Sequence, residues 1–106
     1  MVDEYLCLTL LARVGETEAG FKARLSAFWT HLLREHLAVF EKVYAETSAF
    51  ESGDERLSRK YLFEAAAVAD LEEQLRARQM EFEPIDEADL YSKFEAAPPE
   101  WFWIEH

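Results

Sequence analysis

Two histidines on one helix-forming stretch, His31 and His36, are the first groups in this 106-residue chain that could move a proton or hold a metal. Five residues apart on an α-helix, they point about 140° away from each other, so one ion does not reach both. His31 and Glu35 have the i,i+4 spacing of a ligand pair, which is equally the spacing of a surface ion pair. His36 falls on an apolar stripe instead. Facing a cavity it would be an acid–base group and the candidate catalytic residue; inside a core it would be a hydrogen-bonded histidine. Trp29, Tyr44 and Tyr61 are the candidate lining of a pocket for a small apolar or aromatic molecule, although ordinary core packing uses the same residue types. Glu46 would be a general base if it pointed into such a pocket, and a solvated charge paired with Lys42 or Lys60 if it did not. The sequence has no glycine-rich phosphate loop, nucleophile elbow, His-Glu-x-x-His or paired-cysteine motif, so no cofactor and no metal is expected.

The charge balance narrows the partners. There are 22 acidic and 11 basic side chains, a formal charge of -11. Such a surface repels a phosphate backbone and an anionic bilayer alike, so neither nucleic acid nor membrane is an expected partner. A basic protein would be attracted, which keeps an acidic protein-interaction module (an inhibitor, immunity or assembly factor) as an alternative reading. Cys7 is the single cysteine and cannot form an internal disulfide. The apolar run Leu6 to Ala12 is too short for a membrane span of about 20 residues and is preceded by Asp3 and Glu4 rather than by basic residues. A cytoplasmic setting is therefore expected. The length and a hydrophobic content of 50% suit one globular domain over residues 1–106.

Hydrophobic periodicity supplies the elements that would position these residues. Tyr5 to Val14 reads as a strand, with Leu6, Leu8 and Leu10 on one face and Tyr5, Cys7, Thr9 and Leu11 on the other. Both faces are largely apolar and both need cover. Gly15 breaks the strand, Thr17 caps a helix predicted over 17–37, and Phe21, Leu25, Phe28 and Leu32 form its apolar stripe. Residues 39–50 and 57–63 read as a hairpin around the turn Ser52-Gly53-Asp54-Glu55. Ala65 to Met80 is a second helix. Asp86 is placed to start a short third one reaching about Glu95, with Ile85 and Leu90 as a hydrophobic staple. The last strand is either Met80–Pro84 or Trp101–Glu105. The tail Trp101-Phe102-Trp103-Ile104 must dock on its own domain, on a partner subunit, or over a cavity as a lid.

This order predicts an α+β fold: a ferredoxin-like βαββαβ antiparallel sheet with both helices on one face and an extra short C-terminal helix. The uncovered apolar face calls for a second copy packed sheet to sheet, making a homodimer. With these elements in this order, a first helix beginning Glu18-Ala19-Gly20-Phe21 and a second helix directly after Tyr61-Leu62-Phe63-Glu64, residues 5–84 resemble the dimeric α+β barrel superfamily. That group includes antibiotic-biosynthesis-type monooxygenases and muconolactone-isomerase-like proteins. The chain departs from the pattern in having no glycine between the first helix and the second strand. The resemblance implies a helix–sheet pocket for aromatic ligands and cofactor-independent oxygenase or isomerase chemistry.

Overall fold

A computed structural model describes residues 4–53, 55–86, 90–91 and 101–104. Its elements run β1 (Tyr5–Leu11), α1 (Glu18–Glu35), α2 (Leu37–Phe40), β2 (Val43–Thr47), β3 (Glu51–Gly53), β4 (Arg56–Glu64), a 3-10 turn (Ala65–Ala67), α3 (Val68–Ala77), β5 (Glu81–Phe82), β6 (Leu90–Tyr91) and β7 (Trp101–Trp103). The strands form one antiparallel sheet in the order β5-β1-β4-β2-β7, with β3 also on β4 and β6 also on β1. This α+β arrangement is compatible with a ferredoxin-like fold. It differs in that the outer hairpin strand is split into β2 and β3, and the edge beside β1 is built from two short pieces.

Both longer helices pack on one face of the sheet. Leu6, Leu8 and Leu10 of β1 and Tyr61 and Phe63 of β4 meet Phe21, Leu25, Phe28 and Leu32 of α1 and Leu71 and Leu75 of α3 in a single buried core. The period of two in the strands and the three-to-four spacing in the helices are what put these side chains on facing surfaces.

Local chemistry fixes where each helix begins and ends. Gly15 has φ +80, a conformation open to glycine at little steric cost, and turns the chain out of β1. The Thr17 hydroxyl then accepts from the Gly20 N–H at 3.1 Å and caps α1. A Cβ on Gly20 would lie 3.2 Å from that same hydroxyl, so the small residue leaves the cap room. At the far end of α3 the Met80 N–H donates to the Leu75 carbonyl at 2.8 Å and the Gln79 N–H to the Arg76 carbonyl at 3.1 Å. With Gln79 at φ 57, this is a Schellman closure whose left-handed residue is not glycine.

Several departures from the sequence expectations have a backbone cause. Leu90 and Tyr91, expected inside the short C-terminal helix, instead pair with Leu6 and Tyr5. The unpaired edge of β1 offers backbone groups there that a helix would leave unmet. The other residues of that expected helix, 87–89 and 92–95, lie outside the described residues. Both candidates for the last strand are used, on opposite edges of the sheet: Glu81–Phe82 pairs with β1 and Trp101–Trp103 with β2. Residues 37–40, partly assigned to the hairpin from sequence, form the short helix α2.

The second face of the sheet is partly covered within the single chain. Tyr5, Ala45 and Leu62 are buried there, with Tyr44 and Trp101 packed against them. The tail thus docks on its own domain, and Phe102 and Trp103 remain among the exposed large apolar side chains.

Candidate functional site

An open cavity of about 320 Å³ lies between α1 and the β2–β4 part of the sheet. One turn-spaced row on α1 supplies Leu25, Trp29 and Leu33, because residues four apart share a helix face. Lys22, Ser26 and Thr30 stand along the same helix at the rim. The floor is Arg59 and Tyr61, two apart on β4 and hence on one face, with Glu46 of β2 directly across from Tyr61. Phe40 of α2 and Ile104, just beyond β7, complete the wall.

Glu46 reaches this position through a β-bulge. Val43 pairs with Phe63 and Ala45 with Leu62, so two steps along β2 answer one step along β4, and Tyr44 is the extra residue. Strict alternation from Val43 would set Ala45 opposite Tyr61 and turn Glu46 to the other face. The bulge exchanges them and brings a carboxylate to the cavity.

The charged groups of the wall are tied down. Arg59 Nη2 lies 3.4 Å from Glu46 Oε1, Arg59 Nε donates to the Thr47 carbonyl at 2.8 Å, and the guanidinium stacks 4.8 Å from the centre of the Phe50 ring. The Arg59 side chain is 12% exposed and that of Glu46 30%. Three partners therefore orient the arginine and leave Glu46 accessible from the cavity.

Trp29 and Tyr61 form the aromatic centre, their rings 4.8 Å apart and inclined at 47°. Tyr61 is 0% exposed. Its hydroxyl and the Trp29 indole nitrogen are both buried, and neither makes a hydrogen bond among the described residues. Burial raises the Tyr61 hydroxyl well above its ordinary pKa, and the Glu46 charge adds to this, while the Trp29 N–H and the Arg59 charge pull the other way. Tyr61 is a neutral hydroxyl at any ordinary pH.

Of the residues singled out from sequence, Trp29 and Tyr61 are brought together on this cavity and Tyr44 and His36 are not among its lining. Tyr44 lies on the opposite face of the sheet, edge-on to Tyr5 at 5.2 Å, and its hydroxyl donates to Glu64 Oε2 at 3.2 Å. Lys42 Nζ lies 3.3 Å from the same oxygen, so buried Glu64 has two partners. Burial and the Glu64 charge raise the Tyr44 pKa. A second, smaller cavity of about 180 Å³ lies beside this group, with Val39, Lys42, Glu64 and Asp70 in its wall.

His36 is the residue at which α1 ends. Its N–H donates to the Leu32 carbonyl at 2.8 Å, but its φ of -140 leaves the helical region. That break swings the ring back to 5.4 Å from His31, closer than a continuous helix would allow. Among the described residues, no group of three or more His, Cys, Asp or Glu could hold a metal ion, and no helix is long and apolar enough to cross a membrane.

Arg59, Leu33 and Phe40 are cavity residues that the sequence reading did not single out, and Ile104 belongs to the tail for which a place over a cavity was one of three alternatives. For Arg59 the signal was present in the alternation Leu57, Arg59, Tyr61, Phe63, which puts it on the face of Tyr61. For Ile104 the sequence did not choose among those alternatives, since the pairing of the tail with β2 has no local signature. No protein-family model, no curated protein and no solved structure matches the chain.

Proposed function

We propose that this protein binds a small apolar or aromatic molecule in the cavity between α1 and the sheet. The observation that carries the reading is the make-up of that cavity: an aromatic and aliphatic wall of Leu25, Trp29, Leu33, Phe40, Tyr61 and Ile104 with one ion pair, Glu46–Arg59, set into it. Mostly apolar lining with a few placed polar groups is what small-molecule sites have in common, and about 320 Å³ is at the small end of their range. Every element of the wall comes from one chain. The homodimer, with ferredoxin-like sheets packed face to face, is a separate proposal on which binding does not depend.

Catalysis of the cofactor-independent kind, an oxygenation or an isomerisation, would fall to Glu46. Among the cavity residues it alone carries a carboxylate, able to take a proton from a bound molecule and return it.

Titration with the bicyclic hydrocarbon tetralin, followed by the Trp29 indole N–H resonance, tests the binding reading. Saturable shifts are expected, and Leu33→Trp, which places a large ring at the half-exposed rim, should abolish them without unfolding the protein. A Trp29 resonance unmoved by tetralin and its congeners would sink the assignment. Sedimentation of the same sample addresses the homodimer: a monomer at high concentration removes the pairing and leaves the binding reading intact.

A further inference from the structure

We infer that the molecule bound between α1 and the sheet is an aromatic acid, its ring at the apolar end of the cavity and its carboxylate at the end that carries Lys22 and Arg59. This rests on the binding reading above and adds the charge of the ligand and the direction in which it lies. The chain has 22 acidic side chains against 11 basic, yet the cavity wall reverses that balance: Lys22 and Arg59 stand against one carboxylate, Glu46. Glu46 lies 3.4 Å from Arg59, which leaves one positive charge over. Lys22 is exposed and has no ion pair or hydrogen bond among the described residues. Of the five N–H groups that an arginine carries, only Nε of Arg59 makes a hydrogen bond among the described residues, to the Thr47 carbonyl. The buried side-chain nitrogens and oxygens without a partner are Trp29 Nε1 and Tyr61 Oη among the described residues, so the Arg59 Nη atoms keep accessible surface.

The packing sets the two cations at one end of the cavity. Arg59 stacks on the Phe50 ring, Phe50 packs on Phe21 at 5.5 Å, and Phe21 precedes Lys22 near the start of α1. Trp29 lies about two turns further along the helix, over Tyr61, and Leu33 one turn beyond it. On the sheet side, Arg59 is tied to Thr47, whereas the Ile104 N–H donates to the Tyr44 carbonyl at 2.7 Å, on the other side of Glu46. Leu33, Phe40 and Ile104 therefore form the apolar end. A ligand cation would bring three positive charges beside one carboxylate, and a neutral ligand would leave the surplus unmet. A single carboxylate makes the count two against two, and the donors left over on Arg59 suit its oxygens. The negative charge of the rest of the molecule is screened beyond about 8 Å at physiological salt, so the near groups decide.

Three probes of one shape test this: 3-phenylpropionate, its neutral amide 3-phenylpropanamide, and 3-phenylpropylamine, each titrated at neutral pH beside tetralin and followed by the Trp29 indole N–H resonance. The acid should bind about three- to tenfold more tightly than the amide, the advantage expected of a charge pair at a partly exposed site. The amine should bind most weakly. Lys22→Gln, a change at an exposed position, should remove much of the acid's advantage over the amide. Raising sodium chloride from about 0.02 to about 0.5 M should shrink that advantage too, because the pairing is screened. Equal affinity for acid and amide, or a preference for the amine, overturns the acid assignment and leaves the binding reading standing. An advantage unaltered by Lys22→Gln overturns the placement of the carboxylate. Binding of tetralin with none of the phenylpropyl probes likewise overturns this inference alone, whereas failure of all four molecules overturns the binding reading and this inference with it.

Discussion

At Glu16 one carboxylate closes the turn between β1 and α1. It accepts from Arg24 Nε at 2.7 Å, from Arg24 Nη2 at 2.6 Å and from the Arg13 backbone N–H at 3.0 Å. The Arg24 hydrogen bonds hold its pKa down at about 2 against an ordinary 4.5, with burial opposing them. A carboxyl whose pKa is lowered by folding contributes stability that is complete above pH 4.5 and is lost as the pH falls towards 2. After allowance for solvent screening this is worth about 1–2 kcal/mol. Urea unfolding at pH 6 and at pH 3 checks it: Glu16→Gln should be the less stable protein at pH 6, and the gap should shrink at pH 3. The two tyrosine hydroxyls should behave oppositely. Tyr61→Phe removes a buried group without a partner and should leave stability unchanged or raise it by up to about 1 kcal/mol, whereas Tyr44→Phe takes a bond from Glu64 and should lower it by about 1 kcal/mol. Residue type alone pointed to Trp29 and Tyr61. It could not separate them from Tyr44, because both phases of β2 carry plausible side chains and only the partner strand sets which phase faces the helices. The reach of His36 was not legible either, since it depends on the helix ending at the residue before it.

Among the elements, α3 carries a correctable strain. Its Schellman closure requires a left-handed residue at Gln79, where a side chain crowds the following carbonyl. Gln79→Gly should therefore stabilise the protein by about 0.5–1 kcal/mol, seen as a higher thermal midpoint with the fold unchanged. The helices were readable from sequence because their apolar stripes are long and begin or end at recognisable residues: Thr17 caps α1, and Leu71 and Leu75 mark the buried side of α3. The short strands were not. β5, β6 and β7 have two, two and three residues, too few for a period to show, and they exist because neighbouring edges offer unpaired backbone groups. The bulge at Tyr44 was equally hidden. One extra residue has no signature in β2 itself, yet it decides whether a methyl or a carboxylate faces Tyr61. Deleting Tyr44 should remove the bulge and leave Ala45 opposite Leu62 and Glu46 opposite Tyr61 by plain alternation; the Glu46–Arg59 ion pair, followed by the Arg59 side-chain resonances, should therefore persist.

For the whole molecule, the charge of -11 acts on folding as much as on partners. Like charges crowded onto a compact body repel one another, and salt screens them. The thermal midpoint should therefore rise by several degrees between about 0.01 and 0.15 M sodium chloride, as the Debye length shortens from about 30 to about 8 Å. A midpoint that falls instead would mean that ion pairs such as Glu16–Arg24 and Arg56–Glu81 outweigh the general repulsion. The arrangement of β1 also bears on how the chain reaches this state. Its leucine-rich segment is flanked by β4 on one side and by β5 and β6 on the other, partners that come some fifty to eighty residues later in the sequence. On a ribosome building from the amino end, this apolar stretch emerges before β4, β5 and β6 and waits for both neighbours. Its exposed edges are open meanwhile to other nascent chains, so a chaperone that shields Tyr5–Leu11 should raise the yield of soluble protein more than one acting on the finished fold.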